Sequence, residues 1–212
     1  MADLLSSDET QDFWVIKLGG SLLTLPRLAE RLRSVVDQVA TKPLLIVGGG
    51  EVADVVRRWD AAHRLSASAA HWLAVQAMDF NGRLLENLLP ESIVVTSHQQ
   101  AAKAWQTGKL PLLNVGKWLA TDELRSQDSL PHSWDVTSDS IAAKIAIRFR
   151  AAGLLLLKSI DCPASDSDWR QAVDVYFPRL AQGISQLAWC NLRSPEGEIA
   201  KCPPPFLNGS EE

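Results

Sequence analysis

The sequence predicts an α/β fold, a three-layer sandwich in which helices cover both faces of a mainly parallel central sheet. Short apolar runs, such as residues 13–18 and 44–47, alternate with longer segments whose apolar residues recur at helical spacing. Both runs end in glycine loops, Gly19-Gly20-Ser21 and Gly48-Gly49-Gly50. Because ligands bind at the carboxyl ends of parallel strands, we expect both loops at one functional edge of the sheet.

Each strand is predicted from an apolar run that ends in turn residues. Beyond the first two, further runs predict strands at residues 93–96, 110–115, 154–157 and 187–192. We expect a single domain over residues 13–200, with flexible tails at 1–12 and 201–212.

The helices are predicted from apolar stripes that repeat every three or four residues. Stripes indicate helices after Pro26, after Gly50, over residues 67–89 with an alternative break near Asn81-Gly82, and over 99–105. A helical turn is predicted over 117–124. A further helix begins near Thr137 and closes at Gly153, and residues 169–183 hold one or two short helices broken at Pro178. The tryptophans at 59 and 189 are assigned to the core.

Composition excludes several classes of protein. The chain has 212 residues, of which 46% are hydrophobic, and a formal net charge of -4. Nucleic acid is therefore not expected as a partner, since there is no basic run to replace counterions. No apolar segment reaches the roughly 20 residues of a membrane span, and the polar N-terminus is unlike a signal peptide. We expect a cytoplasmic protein.

The cysteines and histidines do not indicate a metal site. Three cysteines, none in a Cys-x-x-Cys pair, favour reduced thiols. The four histidines show no ligand spacing, so we predict no bound metal in the protein itself.

The two glycine loops favour phosphate binding. A strand followed by glycines and a helix presents backbone N–H groups to an anion. Lys17 lies inside an apolar strand, where it either reaches to solvent or neutralises a phosphate beside Gly19-Gly20-Ser21. Gly48-Gly49-Gly50 is either a flexible turn or a second phosphate loop. The spacing fits neither a dinucleotide-binding fingerprint nor a Walker loop.

Two further charged residues have two readings each. Asp139 lies near a helix N-terminus, where an acid stabilises the helix; the alternative is a carboxylate that orients Lys17 or a magnesium ion. Lys158, at the end of the strand over 154–157, is either a surface lysine or a phosphate contact. In the loop before the helix, Trp134 either covers the core or lines a substrate pocket, and His132 is either an ordinary loop residue or part of the same pocket wall.

These motifs resemble the amino acid kinase superfamily, which includes aspartate, glutamate and uridylate kinases. Residues 17–21 resemble its opening motif, 48–50 its second glycine loop, 137–143 its aspartate-bearing helix, and 154–161 its strand before the nucleotide loop. The resemblance implies a carbamate kinase-like fold and ATP with Mg²⁺. It implies Lys17 and Asp139 as catalytic residues. Residues 165–212 hold no clear counterpart of the superfamily's second catalytic lysine, and we assign Lys158 to the catalytic residues in its place, with Arg179 as the alternative.

The resemblance also assigns the binding residues. It implies that ATP is held by Gly19, Gly20, Ser21, Ser159 and Asp161. The phosphorylated small-molecule acceptor would contact the triple glycine, His132, Trp134 and Thr137. We expect a homo-oligomer.

A narrower likeness concerns the acceptor. Residues 71–74, 77–79 and 132–139 are similar to a subgroup of methanofuran-pathway kinases that convert an aminomethylfuran-methanol phosphate to its diphosphate, with relatives linked to tetrahydromethanopterin-dependent one-carbon metabolism. Two alternatives stay open. One is an isopentenyl phosphate or nucleoside monophosphate kinase. The other is an inactive nucleotide-binding homologue, because Cys162-Pro163-Ala164 stands where the superfamily has a glycine.

Overall fold

The computed structural model describes residues 11–39, 41–195 and 197–202. Its strands are β1 (Gln11–Leu18), β2 (Lys42–Val47), β3 (Ser92–Val95), β4 (Leu110–Leu113), β5 (Ala151–Lys158), β6 (Leu187–Asn191) and β7 (Ala200–Lys201). They form one sheet in the order β3-β4-β2-β1-β5-β6-β7. Strands β1 to β6 pair in parallel and β7 pairs antiparallel with β6. The predicted α/β fold with a mainly parallel sheet is confirmed.

The helices are α1 (Leu28–Gln38), α2 (Gly50–His63), α3 (Ala67–Leu88), α4 (His98–Gln106), α5 (Val115–Arg125), α6 (Ser138–Arg148), α7 (Asp166–Ala172) and α8 (Phe177–Ala181), with a short 3-10 helix at Gly20–Leu22. Among the described residues, no helix combines the length and apolar character needed to span a membrane. The predicted tails lie mostly outside the described residues; where they overlap, the chain belongs to β1 and β7.

Successive side chains of β1 point to opposite faces of the sheet and so belong to two different apolar clusters. Phe13 and Val15 pack in one cluster with α6, whereas Ile16 and Leu18 pack in the other with α1. Lys17 therefore points to the α6 side of the sheet. Helix α3 contributes to both clusters, with Val75 and Met78 in the first, and Leu85 in the second. This helix passes the carboxyl end of β2 without the break that the sequence allowed near Asn81.

Several local predictions were wrong. Gly153 lies within β5 and does not close α6. A Cβ at this position would lie 2.7 Å from the ring of Trp14, so the strand requires glycine here. Pro178 lies in the first turn of α8, where proline is tolerated. Trp59 is 51% exposed because α2 turns only Val56 fully inward. Trp189, at 1% exposure, does lie in the core.

Two of the three cysteines lie together in the fold. The sulfur atoms of Cys162 and Cys202 are adjacent, which brings the segment after β5 to the segment after β7. Their spacing in the sequence did not predict this proximity, and Cys190 is buried apart from them in β6. Burial raises the pKa of the Cys190 thiol to about 11. It is therefore protonated at neutral pH and packs as a small apolar residue.

Candidate active site

The two glycine loops lie in backbone contact at the carboxyl ends of β1 and β2. A Cβ on Gly20 would stand 2.2 Å from the backbone nitrogen of Gly50. Gly50 itself has a φ of 49°, in the left-handed region that glycine adopts without strain. A Cβ on Gly48 would stand 2.9 Å from the nitrogen of Gly20. The contact between the loops therefore requires glycine on both sides.

The amides of the loops divide into two groups. Gly19 donates its N–H to the carbonyl of Leu157 at 2.9 Å, and Gly48 donates to Leu18 at 2.8 Å, so both extend the sheet. The amides of Gly20 and Ser21 lie in the first turn of the 3-10 helix, and those of Gly49 and Gly50 lie where α2 begins. Amides at helix starts have no intrahelical acceptor and suit an anion.

Asn81 fixes the second glycine loop. Its side-chain amide donates to the carbonyls of Gly48 and Gly49 at 2.7 and 2.8 Å. The residue is 2% exposed and lies on α3 where that helix passes the end of β2. Those two carbonyls are thereby turned toward α3, which leaves the amide side of the loop for a ligand. The sequence suggested only a helix break here.

One carboxylate holds two lysines at this edge. Lys17 Nζ donates to Asp139 Oδ1 at 2.7 Å, and Lys158 Nζ donates to Asp139 Oδ2 at 2.7 Å. Lys17 and Lys158 come from neighbouring parallel strands, β1 and β5, whereas Asp139 lies in the first turn of α6. Lys158 also donates to the carbonyl of Ala172 at 2.7 Å. Each ammonium has three N–H bonds, so both keep donors beyond those given to Asp139.

The charges at this cluster follow from burial and proximity. Burial raises the pKa of the Asp139 carboxyl, but the ammoniums of Lys158 and Lys17 overcome it and lower the pKa to about 2. Burial lowers the pKa of Lys158 to about 8, and the charge of Lys17 adds to that effect while Asp139 opposes it. At neutral pH the cluster therefore holds one negative and two positive charges. The surplus positive charge favours an anionic ligand.

Asp174 organises the start of α6. Its carboxylate accepts hydrogen bonds from the backbone N–H of Thr137 at 2.9 Å and of Ser140 at 3.0 Å, and from both their hydroxyls. It also accepts from the N–H of Phe177 at the start of α8. Thr137 is the N-cap of α6 by position, but its hydroxyl donates to Asp174 and does not cap the helix. Asp174 therefore holds the turn that carries Asp139.

A cavity of about 490 Å³ opens beside the glycine loops. One end of the cavity is formed by the two glycine loops, at Gly20, Ser21, Gly49 and Gly50, and by the start of α6 at Thr137 and Ser138. The remaining walls come from α2, α3 and the loop before α6. They include Asp54, Arg57, Asp60, His71, Met78, His132 and Trp134. A pocket of this size suits a small molecule. The predicted acceptor residues Gly49, Gly50, His132, Trp134 and Thr137 all line it, while Gly48 lies behind the loop.

Trp134 and His132 are fixed in the cavity wall. Trp134 Nε1 donates to Asp60 Oδ2 at 2.7 Å, and the guanidinium of Arg57 lies 4.5 Å from the centre of the indole ring. The ring of His132 stacks on that of His71, with centroids 4.2 Å apart. Burial, aided by the charge of His132, lowers the pKa of His71 to about 4, so this imidazole is neutral at pH 7.

Ser21, Ser159 and Asp161, which were predicted to bind the nucleotide, follow strands β1 and β5. Ser21 Oγ donates to Ser159 Oγ at 3.5 Å, and Arg193 donates to the carbonyl of Ser21 at 3.4 Å. Asp161 accepts from the side-chain amide of Asn191 at 2.8 Å. These groups are exposed and lie around the carboxyl ends of β1, β5 and β6.

Sequence reasoning missed Asn81, Asp174 and Arg193. The signal for Asp174 was available, because an acidic residue just before a helix start often accepts backbone N–H bonds. Its partners at Thr137 and Ser140 are distant in the chain, however, so spacing alone did not reveal its role.

Comparisons with known proteins give the family of this chain. A model of the amino acid kinase family matches residues 12–162. The chain is 28% identical over 203 residues to [5-(aminomethyl)furan-3-yl]methyl phosphate kinase of Methanocaldococcus jannaschii, and the match covers 86% of this chain and 89% of that protein.

Solved structures show the same fold. UMP kinase from Bacillus anthracis superposes with a TM-score of 0.61 at 17% identity, covering 88% of this chain and 90% of its own. UMP kinase from Ureaplasma parvum gives a TM-score of 0.63 at 18% identity, with coverages of 87% and 92%. Since the family model spans well over half of the sequence, this chain belongs to the amino acid kinase family and is a phosphotransferase.

Proposed function

We propose that the protein transfers the γ-phosphoryl group of ATP to the phosphate of a small acceptor. The observation that carries this proposal is the pair of ammoniums, Lys17 and Lys158, held by Asp139 beside two glycine loops in contact. Phosphoryl transfer depends on positioning and on neutralising charge over the transferred group. Two cations and two sets of free loop amides meet both needs.

The placement of the two glycine loops supports the following reaction. An oxygen of the acceptor phosphate attacks the γ-phosphorus of ATP, the bond from that phosphorus to the β,γ-bridging oxygen breaks, and ADP leaves. The acceptor monophosphate becomes a diphosphate. Amides of Gly20 and Ser21 bind the donor phosphates, and amides of Gly49 and Gly50 bind the acceptor phosphate. Lys17 and Lys158 offset the charge that spreads over the oxygens between them.

Asp139 acts as a positioning residue in this scheme. Both of its oxygens already accept from lysines at 2.7 Å, so it does not fit as a ligand for Mg²⁺, which prefers free oxygen ligands. Mg²⁺ fits as a companion of ATP, bound through the phosphates, where it supplies further positive charge. Ser159 and Asp161 offer oxygens on the nucleotide side of the loop, and we assign them to ATP binding.

For the acceptor we propose a furan-methanol phosphate that carries an aminomethyl group. The relative from Methanocaldococcus jannaschii is named for that substrate. The cavity supplies matching groups: an indole ring at Trp134, the apolar side chain of Met78, and the carboxylates of Asp54 and Asp60 for an ammonium. Asp60 accepts from Trp134 at 2.7 Å, whereas Asp54 accepts from the guanidinium of Arg57 at the longer distance of 3.4 Å. Asp54 is therefore the carboxylate with more capacity for the substrate.

The test is ADP release with three acceptors: the aminomethylfuran phosphate, isopentenyl phosphate and UMP. We expect turnover with the furan and a rise of roughly ten-fold in its KM in Asp54→Asn, with an unchanged KM for ATP. The matched control is Glu86→Gln, which removes a carboxylate on the far part of α3. Preferred turnover of UMP would contradict the acceptor assignment, and ATP binding without turnover of any acceptor would contradict the kinase proposal.

A further inference from the structure

An arginine outside the cavity reaches the first glycine loop. Arg193 lies in the turn after β6, and its guanidinium donates to the carbonyl of Ser21 at 3.4 Å. Arg193 is exposed, and it is not among the residues that line the cavity. The reaction proposed above assigns the amide of Ser21 to the phosphates of ATP. Under that assignment, Arg193 lies beside the donor phosphates and apart from the acceptor.

The turn that carries Arg193 is fixed on both sides of that residue. The N–H of Leu192 donates to the carbonyl of Lys158 at 2.9 Å, which extends the pairing of β6 with β5. Arg31, on α1, donates to the carbonyls of Leu192 and Ser194 at 3.0 and 3.2 Å. The backbone on either side of Arg193 is therefore held before a ligand binds. Binding then has to order only the side chain, which lowers its entropic cost.

Asn191 links this turn to Asp161, which we assigned to ATP binding. The side-chain N–H of Asn191 donates to Asp161 at 2.8 Å, and its side-chain oxygen accepts from the N–H of Arg193 at 3.0 Å. Asp161 is thus engaged by an amide, and within the described ranges 11–39, 41–195 and 197–202 Arg193 forms no ion pair. A guanidinium has five N–H donors, so most remain after the bond to Ser21. An unpaired cation therefore lies next to a loop whose free amides suit an anion.

We propose that Arg193 binds the phosphate chain of the donor nucleotide, an inference that rests on the proposed kinase reaction. The planar guanidinium can donate to two phosphate oxygens at once, which gives strong, charge-assisted hydrogen bonds. In the proposed reaction Lys17 and Lys158 act on the transferred group, whereas Arg193 stabilises bound ATP. Its loss therefore weakens ATP binding and leaves the KM for the acceptor unchanged.

The test measures ATP binding without turnover. ATP is titrated into the protein at a fixed Mg²⁺ concentration, without acceptor, and the Kd is obtained by calorimetry at low and at high NaCl. We expect Arg193→Gln to raise the Kd for ATP by about ten-fold, since a hydrogen bond between charged groups is lost. The Kd of this variant should also depend less steeply on salt, because one charge contact is missing. Arg193→Lys keeps the charge but loses the fork, so its Kd should lie between those of the wild type and Arg193→Gln.

The matched control is Arg150→Gln, which removes an exposed arginine just before β5, at the opposite end of that strand from Lys158. Its Kd for ATP should equal that of the wild type. Steady-state kinetics with whichever of the three acceptors is turned over check the acceptor KM of Arg193→Gln, and circular dichroism checks its fold.

Two outcomes would overturn the role of Arg193 and leave the kinase proposal intact. One is equal ATP affinity in the wild type and in Arg193→Gln, and the other is an equal rise in the KM values for ATP and acceptor. A wild-type protein that binds no ATP would instead overturn the kinase proposal, and this inference with it.

Discussion

Replacing Asp139 with asparagine tests the charge cluster most informatively. The substitution keeps the shape of the side chain and removes the charge that both ammoniums face. The carboxyl has a pKa of about 2 against an ordinary value of 3.8. That difference corresponds to about 2 kcal/mol of stability at neutral pH. Breaking a buried ion pair by removing one partner typically costs about 3–5 kcal/mol. We therefore expect Asp139→Asn to lower the free energy of unfolding by about 2–5 kcal/mol at pH 7.

Urea unfolding of both proteins across pH measures this effect. Because the folded-state pKa of Asp139 is lowered, its stabilisation is fully present above about pH 4 and is lost as the pH falls toward 2. The difference between wild type and variant therefore narrows over that range. The control Glu86→Gln removes an ion pair whose arginine is 63% exposed, and should change stability by less than about 1 kcal/mol. A variant as stable as the wild type at pH 7, or a difference that is constant across pH, would refute the reasoning.

Three further predictions concern the loops and the second lysine. Gly20→Ala places a Cβ against the backbone of Gly50, so we expect a folded protein, checked by circular dichroism, with little kinase activity. Asn81→Ala leaves two buried carbonyls without a donor, which should cost about 1–3 kcal/mol in urea unfolding and raise the KM for the acceptor. Lys158 has a pKa of about 8, and in the proposed reaction it acts as a cation. We therefore expect kcat/KM for ATP to fall as the pH rises through about 8. In Lys158→Arg, which stays charged, the fall should move to higher pH.

Each of these predictions has a matched control or a contrary outcome. Gly82→Ala adds a methyl group in α3 with 3.9 Å of clearance and should be tolerated. Asn87→Ala removes an exposed side-chain bond on the same helix as Asn81 and should leave the acceptor KM unchanged. A kcat/KM profile that is flat to pH 10, or identical in Lys158→Arg, would show that Lys158 does not act as a charge in the reaction.

Much of the fold was predictable because its signals are local. The six apolar runs became strands β1 to β6, and stripes at helical spacing marked most helices. Strand β7 was missed because two exposed residues carry no apolar pattern. Helix α5 is longer than the predicted turn, since Asn114 caps it by accepting from the N–H of Lys117. Gly153 was wrongly predicted to end a helix, because the group that requires glycine at this position, the ring of Trp14, lies on another strand.

The site was predictable to the extent that strand ends in a parallel sheet converge. Lys17 and Lys158 lie in the last residues of β1 and β5, and the glycine loops follow β1 and β2. These three strands are neighbours in the sheet. The pairing of Lys17 and Lys158 through Asp139 could not be derived from spacing, because it depends on how α6 packs on the sheet. The approach of Arg193 to Ser21 depends likewise on contacts between elements distant in sequence.

The proposed role of Lys17 is tested most directly by the kinase activity of Lys17→Met. Methionine fills similar space within the buried strand but carries no charge, and Lys103→Met on the exposed side of α4 is the control. ADP release is measured with the aminomethylfuran phosphate as acceptor. We expect kcat to fall by about a hundred- to a thousand-fold in Lys17→Met and to stay unchanged in Lys103→Met. Turnover by a folded Lys17→Met protein at the wild-type rate would contradict the claim that this ammonium stabilises the transferred phosphoryl group.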